Sequence, residues 1–136
     1  MTEKEPPLIL IVEDNLANFI LEAHMLGLVG IHSVEWAADG FVAFEKALNC
    51  KPDLILLDLR MPGKDGYGVY KELASHEETK RIPVVIVTAE ASTAQRDKAL
   101  SYGVAEFFEK PLDPSTFGES VQNILRGIQF GLYDTE

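Results

Sequence analysis

Leu54-Ile55-Leu56-Leu57-Asp58 is four consecutive apolar residues closed by a carboxylate, and it decides how the rest of the chain reads. An apolar run without polar alternation fits a strand covered on both faces, as in a parallel sheet. Lys51-Pro52-Asp53 breaks the chain before it, and a loop from Leu59 to Asp65 follows. Similar short runs recur at Leu8 to Val12, His32 to Ala37, Ile82 to Val87 and Ala105 to Phe108. Between them lie stretches with helical spacing. Asn15 to about Leu28 carries Leu16, Phe19, Ile20, Ala23 and Leu26 as an apolar set, and Asp39 to Leu48 carries Phe41, Phe44, Ala47 and Leu48. Gly66 to Ser75 and Ser92 to Tyr102 follow, the latter closed by Gly103. A last helix begins at Asp113-Pro114, an N-cap and a first-turn proline, and runs to about Arg126, where Gly127 weakens it. Five strands alternating with five helices predict right-handed crossovers and a three-layer α/β sandwich, a parallel sheet with helices on both faces.

With 136 residues and 46% hydrophobic content, the chain can build one ordinary core. Asp and Glu outnumber Lys and Arg 22 to 12, for a net charge of -10, which argues against partners such as nucleic acid or an anionic membrane. Cys50 is alone, so no intramolecular disulfide forms, and the apolar stretch Leu8 to Val12 is too short for a signal or membrane segment. A cytoplasmic location is expected. His24, His32 and His76 show no ligand spacing with one another or with Cys50.

The chemistry gathers at the carboxyl ends of the runs, the edge where open α/β sheets place their sites. Glu13-Asp14 follows the first strand, Asp58 the third, Thr88 the fourth and Lys110 the fifth. Three carboxylates brought together repel unless a hard divalent cation takes their oxygens, and Mg²⁺ suits one or two carboxylates plus waters and phosphate oxygens. Lys110 brings a positive charge to the other side of the cluster, on a turn fixed by Pro111. Thr88 adds a hydroxyl, with Ala89 beside it leaving room for a ligand.

Val12-Glu13-Asp14-Asn15, Asp58-Leu59-Arg60-Met61-Pro62-Gly63-Lys64-Asp65-Gly66, Thr88-Ala89 and Lys110-Pro111, in this order, resemble the receiver domain of two-component response regulators. The resemblance covers about Leu8 to Arg126. It implies a flavodoxin-like sheet of order 2-1-3-4-5, and a phosphoryl group accepted by Asp58 from a sensor histidine kinase or a histidine phosphotransfer protein. Asp14, Asp58 and the backbone carbonyl of Arg60 would hold Mg²⁺, with Glu13 acting mainly through a bound water, and Lys110 and Thr88 would bind the phosphoryl oxygens. Thr88 and the aromatic at position 107 would form the switch, although Phe107 lacks the hydroxyl many relatives carry and reads equally as packing. Arg60 and Glu90 would face each other at the rim beside Ala89, either paired or separately solvated.

A receiver domain is expected over 8–127, flanked by a disordered N-terminus, 1–7, and a tail, 128–136, too short to be an output domain. Output would then pass through contacts with a downstream protein. Self-association, through the face of the fourth helix, fifth strand and fifth helix or through the tail apolar residues Ile128, Phe130, Leu132 and Tyr133, is a further option. Two other readings stand beside this one. A haloacid-dehalogenase-type phosphatase also uses a strand-end aspartate, Thr, Lys and Mg²⁺, but needs an acid where this chain has Arg60. A receiver that binds partners without phosphorylation would have no need of intact Asp14, Asp58, Thr88 and Lys110.

Overall fold

The computed structural model describes residues 6–129. Chain order is β1 (Leu8–Val12), α1 (Leu16–Gly27), β2 (Ser33–Ala37), α2 (Gly40–Cys50), β3 (Leu54–Leu57), α3 (Gly66–Ala74), β4 (Val84–Thr88), α4 (Thr93–Ser101), β5 (Glu106–Glu109) and α5 (Phe117–Gln129). The strands form one parallel sheet in the order β2-β1-β3-β4-β5, as expected. Strand side chains alternate between two apolar layers. Leu10, Val12, Ile55, Leu57, Val84 and Ile86 face α2, α3 and α4, whereas Ile9, Ile11, Leu54, Leu56, Val85 and Val87 face α1 and α5. All of β3 is buried, which is why its sequence shows no alternation.

Each of the first four helices starts on a polar cap. Asn15, Asp39, Asp65 and Ser92 accept from the backbone N–H groups of Asn18, Phe41 and Val42, Gly68, and Gln95, respectively. Gly103 closes α4 with φ +97, a conformation that a side chain would disfavour.

Several boundaries differ from the sequence reading. β4 begins at Val84 because Pro83 has no N–H to give the ladder and Ile82 is held in a turn to Thr79. Its end moves to Thr88, and β5 moves with it, because Thr88 pairs in register with Glu109. α2 runs on to Cys50 and ends where Lys51 turns left-handed at φ 48. α5 starts at Phe117 rather than Asp113, whose side chain instead accepts from Ser115 in a turn. It continues through Gly127 because Val121, Ile124 and Ile128 extend its inner stripe. Phe130, Leu132 and Tyr133, and the first five residues, lie outside the described residues.

Two amphipathic faces are rotated from the expected ones. On α1, Leu16 and Ile20 are exposed, and the inner face is built instead from Phe19, Glu22, Ala23, Met25 and Leu26. On α2, Phe41 is exposed while Ala43 and Ala47 are buried. α4 is a separate case, with Ala99 its one buried residue. Side chains on its flanks hold it: Tyr67 donates to Gln95 Oε1 at 2.8 Å, Lys98 Nζ lies 4.3 Å from the Tyr67 ring centroid, and the Arg96 guanidinium lies 4.9 Å from that of Phe107. Among the described residues no helix is long and apolar enough to cross a membrane.

Candidate functional site

The parallel ladder continues one hydrogen bond past the strands, and those extra bonds fix the polar residues. Glu13 N–H donates to Ala37 O at 3.0 Å, Asp58 N–H to Val12 O at 3.1 Å and Lys110 N–H to Thr88 O at 2.9 Å. Glu13, Asp58 and Lys110 therefore start from rigid backbone at one edge of the sheet. Gly66 closes the loop behind Asp58. A Cβ there would lie 2.6 Å from the Asp58 carbonyl oxygen and 2.6 Å from Leu59 Cα, so α3 can pack this near only without one.

Glu13, Asp14 and Asp58 each offer a carboxylate oxygen, and these oxygens all lie within 4.8 Å of one another. Glu13 and Asp58 are both buried, Asp58 at 7% exposure, while Asp14 is exposed. Lys110 Nζ donates to Glu13 Oε1 at 2.6 Å and to Asp58 Oδ2 at 2.8 Å. The remaining oxygens are also engaged: Arg60 N–H donates to Asp58 Oδ1 at 2.9 Å and Asn15 N–H to Glu13 Oε2 at 3.1 Å. Burial raises the Glu13 carboxyl above its usual range, against the Lys110 and Asn15 hydrogen bonds that favour its anion. Burial pulls the Lys110 ammonium the other way, toward losing its proton, but its bonds to Asp58 and Glu13 outweigh this and hold its pKa above the usual lysine value. A set of three oxygen donors, one of them open to solvent, suits a hard divalent cation that keeps waters.

The other predicted residues lie around this centre. Thr88 is fully buried at the end of β4, and its Oγ1 accepts from Glu90 N–H at 3.1 Å. Arg60 Nε and Glu90 Oε1 are 3.7 Å apart, so the rim charges do meet, although both side chains are largely in solvent. They line a cleft of about 600 Å³ together with Asp14, Asp65 and Tyr67. Ala89 is exposed and borders a second cavity with Lys110. Phe107 is 2% exposed, packed in the α2–α4 layer, and Arg96 Nη1 donates to its carbonyl at 3.3 Å. The Lys110-Pro111 peptide bond is cis.

Three neighbours were not foreseen. Trp36 Nε1 donates to Glu13 O at 2.7 Å, Arg96 covers Phe107, and Glu22 is buried on α1 beside the cluster. Glu22 had a signal, being an acid three residues after Phe19 and four before Leu26 on the inner face. The other two depend on contacts between elements distant in sequence and had none.

A family model described as the response regulator receiver domain matches residues 9–122. Over 119 residues, 87% of this chain, the sequence is 37% identical to the response regulator PleD of Caulobacter vibrioides, of which the match spans only 26%. It is 31% identical over 120 residues to the polar-differentiation response regulator DivK of Brucella anthropi, covering 88% of this chain and 97% of the relative. Among solved structures, the chemotaxis protein CheY4 of Vibrio cholerae superposes with a TM-score of 0.80 at 28% identity, covering 88% of this chain and 99% of that one. The receiver domain of the sensor histidine kinase PA1611 of Pseudomonas aeruginosa, with a magnesium ion coordinated in its active site cleft, gives 0.79 at 31% identity, covering 90% and 99%.

Proposed function

Because the chain belongs to the response regulator receiver family, we propose that it accepts a phosphoryl group on Asp58 from a histidine kinase or phosphotransfer protein and signals through protein contacts. The supporting observation is the ion triad: a lysine ammonium already 2.8 Å from the proposed nucleophile, beside acids able to hold a metal. Asp58 attacks the phosphorus of a phosphohistidine, forming a P–O bond as the P–N bond breaks and the electron pair returns to the imidazole. Lys110, prepositioned by Glu13, then turns its charge on the phosphoryl oxygens, and the Thr88 hydroxyl donates to another. Glu13, Asp14, Asp58 and the Arg60 carbonyl would hold Mg²⁺, which when bound offsets negative charge on the transferring group. Water attacking the same phosphorus later ends the signal.

In this reading Thr88 moves toward the phosphoryl group and Phe107 follows, altering the surface formed by α4, β5 and α5. Activity on generic phosphate esters is not expected, and a cytoplasmic setting fits a donor that is itself a cytoplasmic phosphohistidine. The test is incubation with acetyl phosphate and Mg²⁺ followed by intact mass. A gain of about 80 Da in the wild type, absent in Asp58→Ala, is expected for one phosphoryl group. No gain in the wild type, or an undiminished gain in Asp58→Ala, rejects the proposal.

A further inference from the structure

The carboxylates of Glu13 and Asp58 are held by Lys110 and by backbone N–H groups, but that of Asp14 has no hydrogen-bond or salt-bridge partner among the described residues. Its place in the acidic cluster is therefore set by the backbone on which it stands. Trp36 holds that backbone: its indole Nε1–H donates at 2.7 Å to Glu13 O, the carbonyl of the Glu13–Asp14 peptide. Glu13 N–H in turn donates to Ala37 O at 3.0 Å, so two successive residues of the edge strand β2 grip both polar groups of the Glu13 backbone. We propose that Trp36 is a positioning residue for divalent-cation binding, setting Asp14 through the Glu13 carbonyl. The inference rests on the reading of the acidic cluster as a Mg²⁺ site.

The indole is itself fixed from two sides. Trp36 lies in register with Ile11 of β1, and its ring stacks on Phe19 of α1 with centroids 5.0 Å apart and planes 15° from parallel. Phe19 N–H donates to Asn15 O at 3.0 Å, closing the first turn of α1. Trp36 thus meets the connection between β1 and α1 at both ends, by a hydrogen bond at Glu13 and by stacking one turn beyond Asn15. A connection of three residues held this way has little room to swing Asp14 out of the cluster. The side-chain type matters as much as the place. Tryptophan combines a flat apolar ring with an N–H that donates and carries no charge, so it orients the carbonyl without repelling an incoming cation as lysine or arginine would. Partners that fix a ligand's backbone in this way tune metal affinity without touching the metal.

The experiment is a titration of the full ¹⁵N-labelled chain with MgCl₂ at constant ionic strength, in the wild type, Trp36→Phe and Val34→Ala. Trp36→Phe keeps a ring against Phe19 and removes the donor. Val34→Ala removes packing from the same face of the same strand and leaves the donor in place. Affinity is read from the backbone amides of Asp58 and Arg60. It should fall about three- to tenfold in Trp36→Phe and stay within about twofold of the wild type in Val34→Ala. In the wild type the indole N–H of Trp36, the single tryptophan, should shift with the same midpoint as the Asp58 amide. Undiminished affinity in a Trp36→Phe protein with a dispersed, folded spectrum overturns the inference and leaves the Mg²⁺ site standing. So does an equal loss in Val34→Ala, or an indole signal that stays put while Asp58 titrates. The absence of saturable shifts in the wild type overturns the site and the inference together.

Discussion

Replacing Glu22 by Gln should stabilise the protein by an amount that grows with pH. The Glu22 carboxyl is raised from its ordinary 4.5 to about 8, chiefly by burial, and its residue is only 3% exposed, so solvent screens little of this penalty. A carboxyl whose folded value exceeds its unfolded one stabilises the fold relative to its ionised form only while protonated. That contribution is complete below the unfolded value and is lost as pH rises through the folded one. At about 1.36 kcal/mol per unit, the wild type carries a penalty of roughly 1.5 kcal/mol at pH 5.5 and roughly 4.5 kcal/mol at pH 8.5. Gln, neutral throughout, carries none, and the raised Glu13 carboxyl, common to both proteins, cancels in the comparison. Urea unfolding followed by far-ultraviolet circular dichroism at pH 5.5, 7.0 and 8.5, at constant ionic strength, measures the difference. It should widen by about 3 kcal/mol across that range, a large share of a typical domain's total stability. A difference that stays flat, or narrows as pH rises, refutes the reasoning.

Gly66→Ala should cost about 2–3 kcal/mol in thermal or urea unfolding, because the atoms its Cβ meets at 2.6 Å are backbone and cannot rotate away; a loss under about 0.5 kcal/mol would show that the loop behind Asp58 yields easily. Arg60→Ala and Glu90→Ala should change the lifetime of the phosphorylated form by no more than about fivefold, since an exposed pair at 3.7 Å is worth at most about 1 kcal/mol. Decay followed by intact mass in both variants checks this, and identical rates to the wild type in both would remove the pair from the hydrolytic step.

Strand identity was legible because β3 is buried on both faces and the polar residues sit immediately after the apolar runs, whereas strand order was legible only through the resemblance to receiver domains. The centre was legible for a related reason: a residue next to a strand end inherits the strand's position, as the ladder bonds of Asp58 and Lys110 make plain. Helix faces were harder. Leu16 and Ile20 keep helical spacing yet point to solvent, because apolar periodicity gives the width of a stripe while packing against the sheet sets its rotation. Glu22 escaped for a different reason: it lies on the face that Phe19 and Leu26 mark, but a hydrophobic count passes over a buried acid. The start of α5 was misread because Asp113 caps a turn with the same hydrogen-bonding chemistry that it would use to cap a helix.

Helix α4 has an energetic character unlike its neighbours. With Ala99 alone buried, little apolar area is lost when it tilts or lifts, so its detachment costs far less than global unfolding. Its remaining anchors, cations over the Tyr67 and Phe107 rings and the bond between Tyr67 and Gln95, tolerate a range of angles and can re-form after a small rotation. Of the five helices, α4 is thus the one whose displacement would expose the least apolar surface. A modest free-energy input at the sheet edge, of the order of a single charged hydrogen bond at about 1.5–3 kcal/mol, is large on that scale.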